Sequence, residues 1–215
     1  MSVHPRTQLE QDPRLWRASQ QKSGHSRGVA SGFEALDQLL ATSGWPQGAL
    51  IECHSALNGI GELQLFAHAM RQCVRNETAL FWVDPPHAPY PPALEGMGLP
   101  PEHCFLVRTG SRSDHLWALE QLLGNNAVGM VMGWSRRRDP AALRRLQLAL
   151  EERRTLGVLI TPETGASQAS PAPMRLSLEA VPGANQLRVT LLRQRGGQAG
   201  SRTLTLPPVI PRQTV

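Results

Sequence analysis

The chain has 215 residues, 40% of them apolar, and 22 Lys and Arg against 17 Asp and Glu leave a net charge of +5. That length and apolar share suit one sizeable core and no second domain, and the moderate basicity permits a nucleic-acid or acidic-protein partner without requiring one. Three scattered cysteines, no Cys-x-x-Cys pair, no histidine cluster and no long apolar run argue against a disulfide framework, a structural metal and a membrane span, so a cytoplasmic location is expected.

Residues 1–26 read as a flexible N-terminal segment interrupted by one amphipathic word, DPRLWRA. Asp12 and Pro13 supply a cap and a first turn, and Leu15 and Trp16 are the large apolar side chains of a short docking helix. Trp16 either seats on another chain or folds back on its own domain. The main domain is expected over residues 27–206, followed by a proline-rich tail at 207–215. It opens with a short helix over Phe33 to Leu40, a turn through Gly44, Trp45 and Pro46, and a strand at Ala49 to Cys53.

The stretch IECHSALNGIGELQLF then runs from strand through a glycine loop into an apolar helix, the layout of a phosphate-binding loop. A working loop ends in Gly-Lys-Ser/Thr, because the lysine meets the terminal phosphates and the hydroxyl meets magnesium. Here it ends Gly61-Glu62-Leu63. The helix pattern continues through ELQLFAHAMRQCVR, and the apolar runs TALFWVD, HCFLVRT, AVGMVMGW and LGVLIT alternate with the helical patterns DHLWALEQLLGN and DPAALRRLQLALEERR. That alternation predicts an α/β fold, a mostly parallel sheet with helices on both faces. MRLSLEAV and QLRVTLLRQR alternate in period two around PGAN, which predicts a C-terminal antiparallel hairpin with SRTLTLP as a third strand.

The words VASGFEALDQLL, GWPQGALIE, the glycine loop, LFWVD and LRVTLLRQRGG, in this order, resemble the core of RecA-like recombinases. Within that superfamily, residues 15 to 206 look most like the ImuA family, RecA-like accessory proteins of the bacterial SOS-induced translesion synthesis (inducible mutagenesis) cassette. The middle of the chain, as far as Glu163, is also similar to the SulA family of damage-induced division inhibitors that bind FtsZ. The resemblance implies a RecA-like core and, as partners, RecA and the cassette's inactive polymerase-like protein, with weak contact to DNA and self-association as further expectations. The rival expectation is a SulA-like division inhibitor acting on FtsZ.

The same resemblance allows each catalytic position to be checked. The loop lysine corresponds to Glu62 and the magnesium-binding hydroxyl to Leu63; Gly133 stands where the metal-binding Asp would sit, and Pro86 where the catalytic glutamate would. No ATPase activity and no cofactor are therefore expected, with Asn58, Gly59, Gly61 and Glu62 kept as a degenerate nucleotide loop. Packing alone accounts for such a loop, Glu62 and Glu52 then lying near a helix N-terminus where negative charge is favoured. Three further features stand open between a binding role and a solvated surface. Arg136, Arg137 and Arg138 follow a strand end and are candidates for nucleic-acid contact. Arg193 and Arg195 match the positions of two lysines that recombinases direct at a neighbouring subunit's ATP, and are candidates for partner binding or an exposed pair on an edge strand. ELQLF resembles a clamp-docking peptide, but its place in a core helix predicts buried leucines.

Overall fold

A strand in the middle of a sheet covered on both sides buries both of its faces, and LIECHS, the strand β1 (Leu50–Ser55), is buried at every position, its Glu52, His54 and Ser55 included. The computed structural model describes residues 28–135, 139–162 and 169–208. Among these, β1 lies at the centre of one eight-stranded sheet with β2 (Ala79–Val83), β3 (Cys104–Val107), β4 (Val128–Trp134), β5 (Leu156–Pro162), β6 (Met174–Ala180), β7 (Gln186–Gln194) and β8 (Gly200–Thr205). The order is β3-β2-β4-β5-β1-β6-β7-β8, parallel from β3 to β6 and antiparallel across β6-β7-β8. This is the mostly parallel sheet with a C-terminal hairpin and third strand that the periodicity predicted.

Successive residues of β1 face opposite layers, as the pleat requires. Ile51 and Cys53 join the core beneath α2 (Glu62–Arg75), which contributes Leu65, Phe66, Ala69, Met70 and Cys73. Leu50 joins the second core with α4 (Arg112–Leu123) and α5 (Pro140–Leu150), through Leu119, Leu123, Leu143, Leu146 and Leu150. α4 is capped by Ser111, whose Oγ accepts the Asp114 N–H, and α5 by Asp139, which accepts from Ala141 and Ala142 ahead of Pro140. Arg145 forks onto Glu120 and joins these two helices on the outer face. The leucine and phenylalanine of ELQLF at 65 and 66 are fully buried, as its place in a core helix predicted, while Leu63 is half-buried.

Several boundaries differ from expectation. The first helix, α1, is only Glu34–Asp37, because beyond it Leu39 donates to Leu36 in a tight turn and the chain bends so that Trp45 pairs with Val29. β1 begins one residue later and runs two further than Cys53, since His54 and Ser55, although polar, pair with Thr161 and Pro162 on one side and Ser177 and Leu178 on the other. A short helix α3 (Pro91–Gly96) and a 3-10 turn at Pro101–His103 occupy a stretch with no predicted element. β8 pairs along β7 from Gln186 to Leu191, so β7 is an edge only beyond that point, where Arg193 lies exposed. Residues 1–26 with Leu15 and Trp16, and Arg136, Arg137 and Arg138, lie outside the described residues.

The N-terminal turn is tied to the end of the hairpin by one side chain. Buried Gln194 accepts the Ala41 N–H at 2.8 Å and donates to the carbonyls of Leu39 and Gln198.

Candidate functional site: the loop after the central strand

The four loop residues singled out from sequence are brought together where β1 hands over to α2. Asn58 and Gly59 are exposed, and Gly59 and Gly61 adopt φ of 73° and 109°, conformations costly for any residue with a Cβ. Gly61 caps α2 with its backbone alone, so no side chain from the cap position serves the first N–H groups of the helix. The residue that turns back is Glu62. Its Oε1 accepts the Gly59 N–H at 2.9 Å, and its Oε2 is buried without a partner among the described groups. Backbone N–H groups of such a loop are what hold phosphate in a nucleotide site. Here one of them is held by the chain's own carboxylate.

A second seal comes from the far end of the chain. Leu206 packs so closely on Gly61 that a Cβ there would overlap its Cδ1. Gln64 donates to the Pro207 carbonyl at 2.7 Å, and Asn185, in the turn between β6 and β7, pairs with Leu206 through both backbone and side chain. Sequence reasoning gave no hint of this contact.

Gly133, where the resemblance would place a metal-binding Asp, is closed by packing. A Cβ on Gly133 would lie 2.8 Å from Leu119 Cδ2, so the space a carboxylate would need is filled by α4. Pro86 is exposed. Asp84, at the end of β2, has φ of 49° and accepts from the Thr109 N–H at 2.8 Å, the Thr109 hydroxyl, and His115 Nδ1 at 2.7 Å. Burial alone would push the Asp84 carboxyl up, but these hydrogen bonds from Thr109 and His115 together outweigh it and hold it below its ordinary value.

Glu52 departs from expectation: it lies inside the sheet, not at the helix N-terminus. Its Oε2 pairs with Arg175 Nε on β6 at 3.1 Å, both groups buried. Arg175 also reaches His54 Nε2 at 3.1 Å, and because a guanidinium only donates, Nε2 accepts, which leaves the proton on Nδ1 to meet Thr161 Oγ1 at 2.9 Å. A glutamate and a histidine two apart in an apolar central strand were the signal for this cluster. Cys53, on the opposite face, has its thiol pushed far up by burial and then by the charges of Glu52 and Glu62.

Arg193 donates to the Ser170 carbonyl at 2.9 Å, and Arg195 lines a cavity of about 250 Å³ with Thr42, Gln47, Gln147 and Met174. Gln194 pairs with Met174 at the start of β6, so these arginines lie at the opposite end of the strands from the glycine loop, and the two candidate features do not form one site.

Fold and loop together define an α/β protein with a mostly parallel sheet between helices, C-terminal antiparallel strands, and a strand–glycine loop–helix junction that carries a carboxylate. No protein-family model matches the chain. It is similar to the cell division inhibitor SulA of Edwardsiella piscicida, at 26% identity over 104 residues. That match covers 48% of this chain and 62% of the relative, so the chain spans less than two thirds of the length of the curated relative it matches. Among the described residues no helix is long and apolar enough to cross a membrane, and no group of three His, Cys, Asp or Glu is placed to hold a metal ion.

Proposed function

We propose that the chain is a non-catalytic RecA-like protein of the bacterial DNA-damage response that acts in the cytoplasm by binding other proteins. The observation that carries this reading is Glu62 seated on the Gly59 N–H, where a triphosphate would meet repulsion worth several kcal/mol once water is excluded. Without a nucleotide to gain or lose, the surface offered to a partner has a single state.

Within that reading, the chain serves as an accessory protein of the SOS-induced translesion synthesis machinery, binding RecA and the cassette's polymerase-like protein. Support comes from the order of sequence words over residues 15 to 206, which continues into the C-terminal hairpin and third strand. A second reading, a division inhibitor that sequesters FtsZ, draws direct support from the similarity to SulA, and this is the reading the comparison favours more.

Immobilised full-length chain challenged separately with purified RecA and FtsZ decides between them. Capture of RecA alone supports the accessory role. Capture of FtsZ, with slowed FtsZ polymerisation, supports the inhibitor. A magnesium-ATP titration tests what both share: a ligand at a hundred times its dissociation constant stabilises by about 2.7 kcal/mol, so a clear rise in melting temperature would overturn the non-catalytic reading.

A further inference from the structure

A buried carboxylate is costly unless something holds it. Glu62 is only 7% exposed, yet one oxygen has a single N–H and the other has no partner among the described groups. It is the first residue of a fourteen-residue helix, where unpaired N–H groups and the helix dipole attract an anion. The loop is unequal on its two sides. A Cβ at Gly59 would meet no atom within 4 Å, whereas Gly61 is sealed by Leu206. The Gly59 backbone is therefore open on its Cβ side, and the group its N–H meets is Glu62.

We propose that Glu62 is a built-in substitute for a phosphate oxygen, which fills the anion seat of the loop and holds it in its ligand-filled shape with no ligand. The seat beneath it is a latent oxyanion site, and with the carboxylate removed it takes phosphate or pyrophosphate. An ordinary first-turn glutamate would favour the helix through its dipole but would leave no seat behind when truncated. The consequence for partners, a surface that needs no nucleotide to be competent, rests on the proposed function; the seat itself does not.

The test compares full-length wild type, Glu62→Ala and Glu62→Gln, each titrated with inorganic pyrophosphate without magnesium and with sodium chloride at matched ionic strength. The readouts are the Gly59 amide resonance, its hydrogen exchange and the melting temperature. Wild type is expected to show a protected Gly59 amide and no specific response to pyrophosphate. Glu62→Ala is expected to lose that protection and bind saturably; for a dissociation constant near 1 mM, about 10 mM pyrophosphate raises the melting temperature by about 3–6 °C. Glu62→Gln keeps an oxygen for the Gly59 N–H, so it should retain protection and bind pyrophosphate more weakly than the alanine variant.

A folded Glu62→Ala that ignores pyrophosphate overturns the proposal, as does a wild type that responds equally. Should the alanine variant fail to fold, the wild-type amide still decides: unprotected Gly59 refutes the seat, and protection retained in Glu62→Gln supports it. Failure to capture RecA or FtsZ would sink the proposed function and leave this inference standing.

Discussion

Replacing Asp84 with Asn tests whether the end of β2 is fastened to the start of α4 by a charge. Asn tolerates the φ of 49° at this position better than most residues, so the backbone is spared and the electrostatic change is isolated. The wild-type carboxylate accepts from the Thr109 N–H, the Thr109 hydroxyl and His115 Nδ1. The amide keeps one accepting oxygen and turns an N–H₂ toward a donor. A hydrogen bond to a charged group is worth about 1.5–3 kcal/mol, and a side chain one quarter exposed belongs toward the lower end, so the expected loss is about 2 kcal/mol. For a domain of this size that corresponds to a melting temperature lower by about 4–8 °C. The sign with pH follows from the depressed carboxyl. Its contribution is fully present above the unfolded value near 3.8 and disappears as pH falls through the lower folded value. Urea unfolding followed by tryptophan fluorescence should therefore show a deficit for Asp84→Asn near neutral pH that shrinks as pH falls below 3.8 and through the depressed folded value, where the wild-type group is itself protonated. A deficit of equal size at both pH values, or none near neutrality, refutes the charge-based fastening.

The two loop glycines should respond unequally to alanine. Gly61→Ala meets Leu206 as well as an unfavourable φ and should cost about 3 kcal/mol, whereas Gly59→Ala meets only the backbone cost of about 1–2 kcal/mol; equal losses by calorimetry would deny the C-terminal seal. Burial pushes the Cys73 and Cys104 thiols up to about 11 and Cys53 further, so native alkylation should be slow, reach half-buried Cys104 first and spare Cys53 until unfolding; peptide mass mapping that finds native Cys53 modified would contradict this. Trp16→Ala should weaken capture of RecA about tenfold, about 1.4 kcal/mol, without moving the melting temperature. A lower melting temperature with unchanged capture would place Trp16 on its own domain instead.

The strands were legible because LFWV, VGMVM and GVLI are short, apolar and separated by helical patterns, and a chain of this form has few ways to bury them. Polar strand ends were not. His54 and Ser55 look like loop until Arg175 and Thr161 for the one, and Pro162 and Leu178 for the other, all more than a hundred residues later, supply partners that no local pattern reveals. α3 had a readable signal in Pro91 and Pro92 at its first turn, masked by the prolines and glycines around it. At the loop, sequence showed a carboxylate where a cation belongs. That it folds back to Gly59, and that Leu206 closes the other side, depends on side-chain direction and on a contact spanning most of the domain. Arg193 and Arg195 stood open between a partner and an edge strand, because periodicity predicts β8 but not that its pairing with β7 stops at Leu191.

The position of β1 sets a schedule for synthesis. Among the described residues it is the first strand made, but both of its neighbours come late: β5 ends at Pro162 and β6 at Ala180. At about 5–20 residues per second the ribosome leaves this apolar strand without a lateral partner for about 5–20 s. During that wait β2, β3 and β4 can pair among themselves with α4 already in place, a partial sheet that must later accept β5 and β1 at its open side. A message broken before the codon for Met174 would release a chain whose central, fully buried strand keeps one bare flank. Such fragments would call on chaperones and proteases far more than the finished protein does.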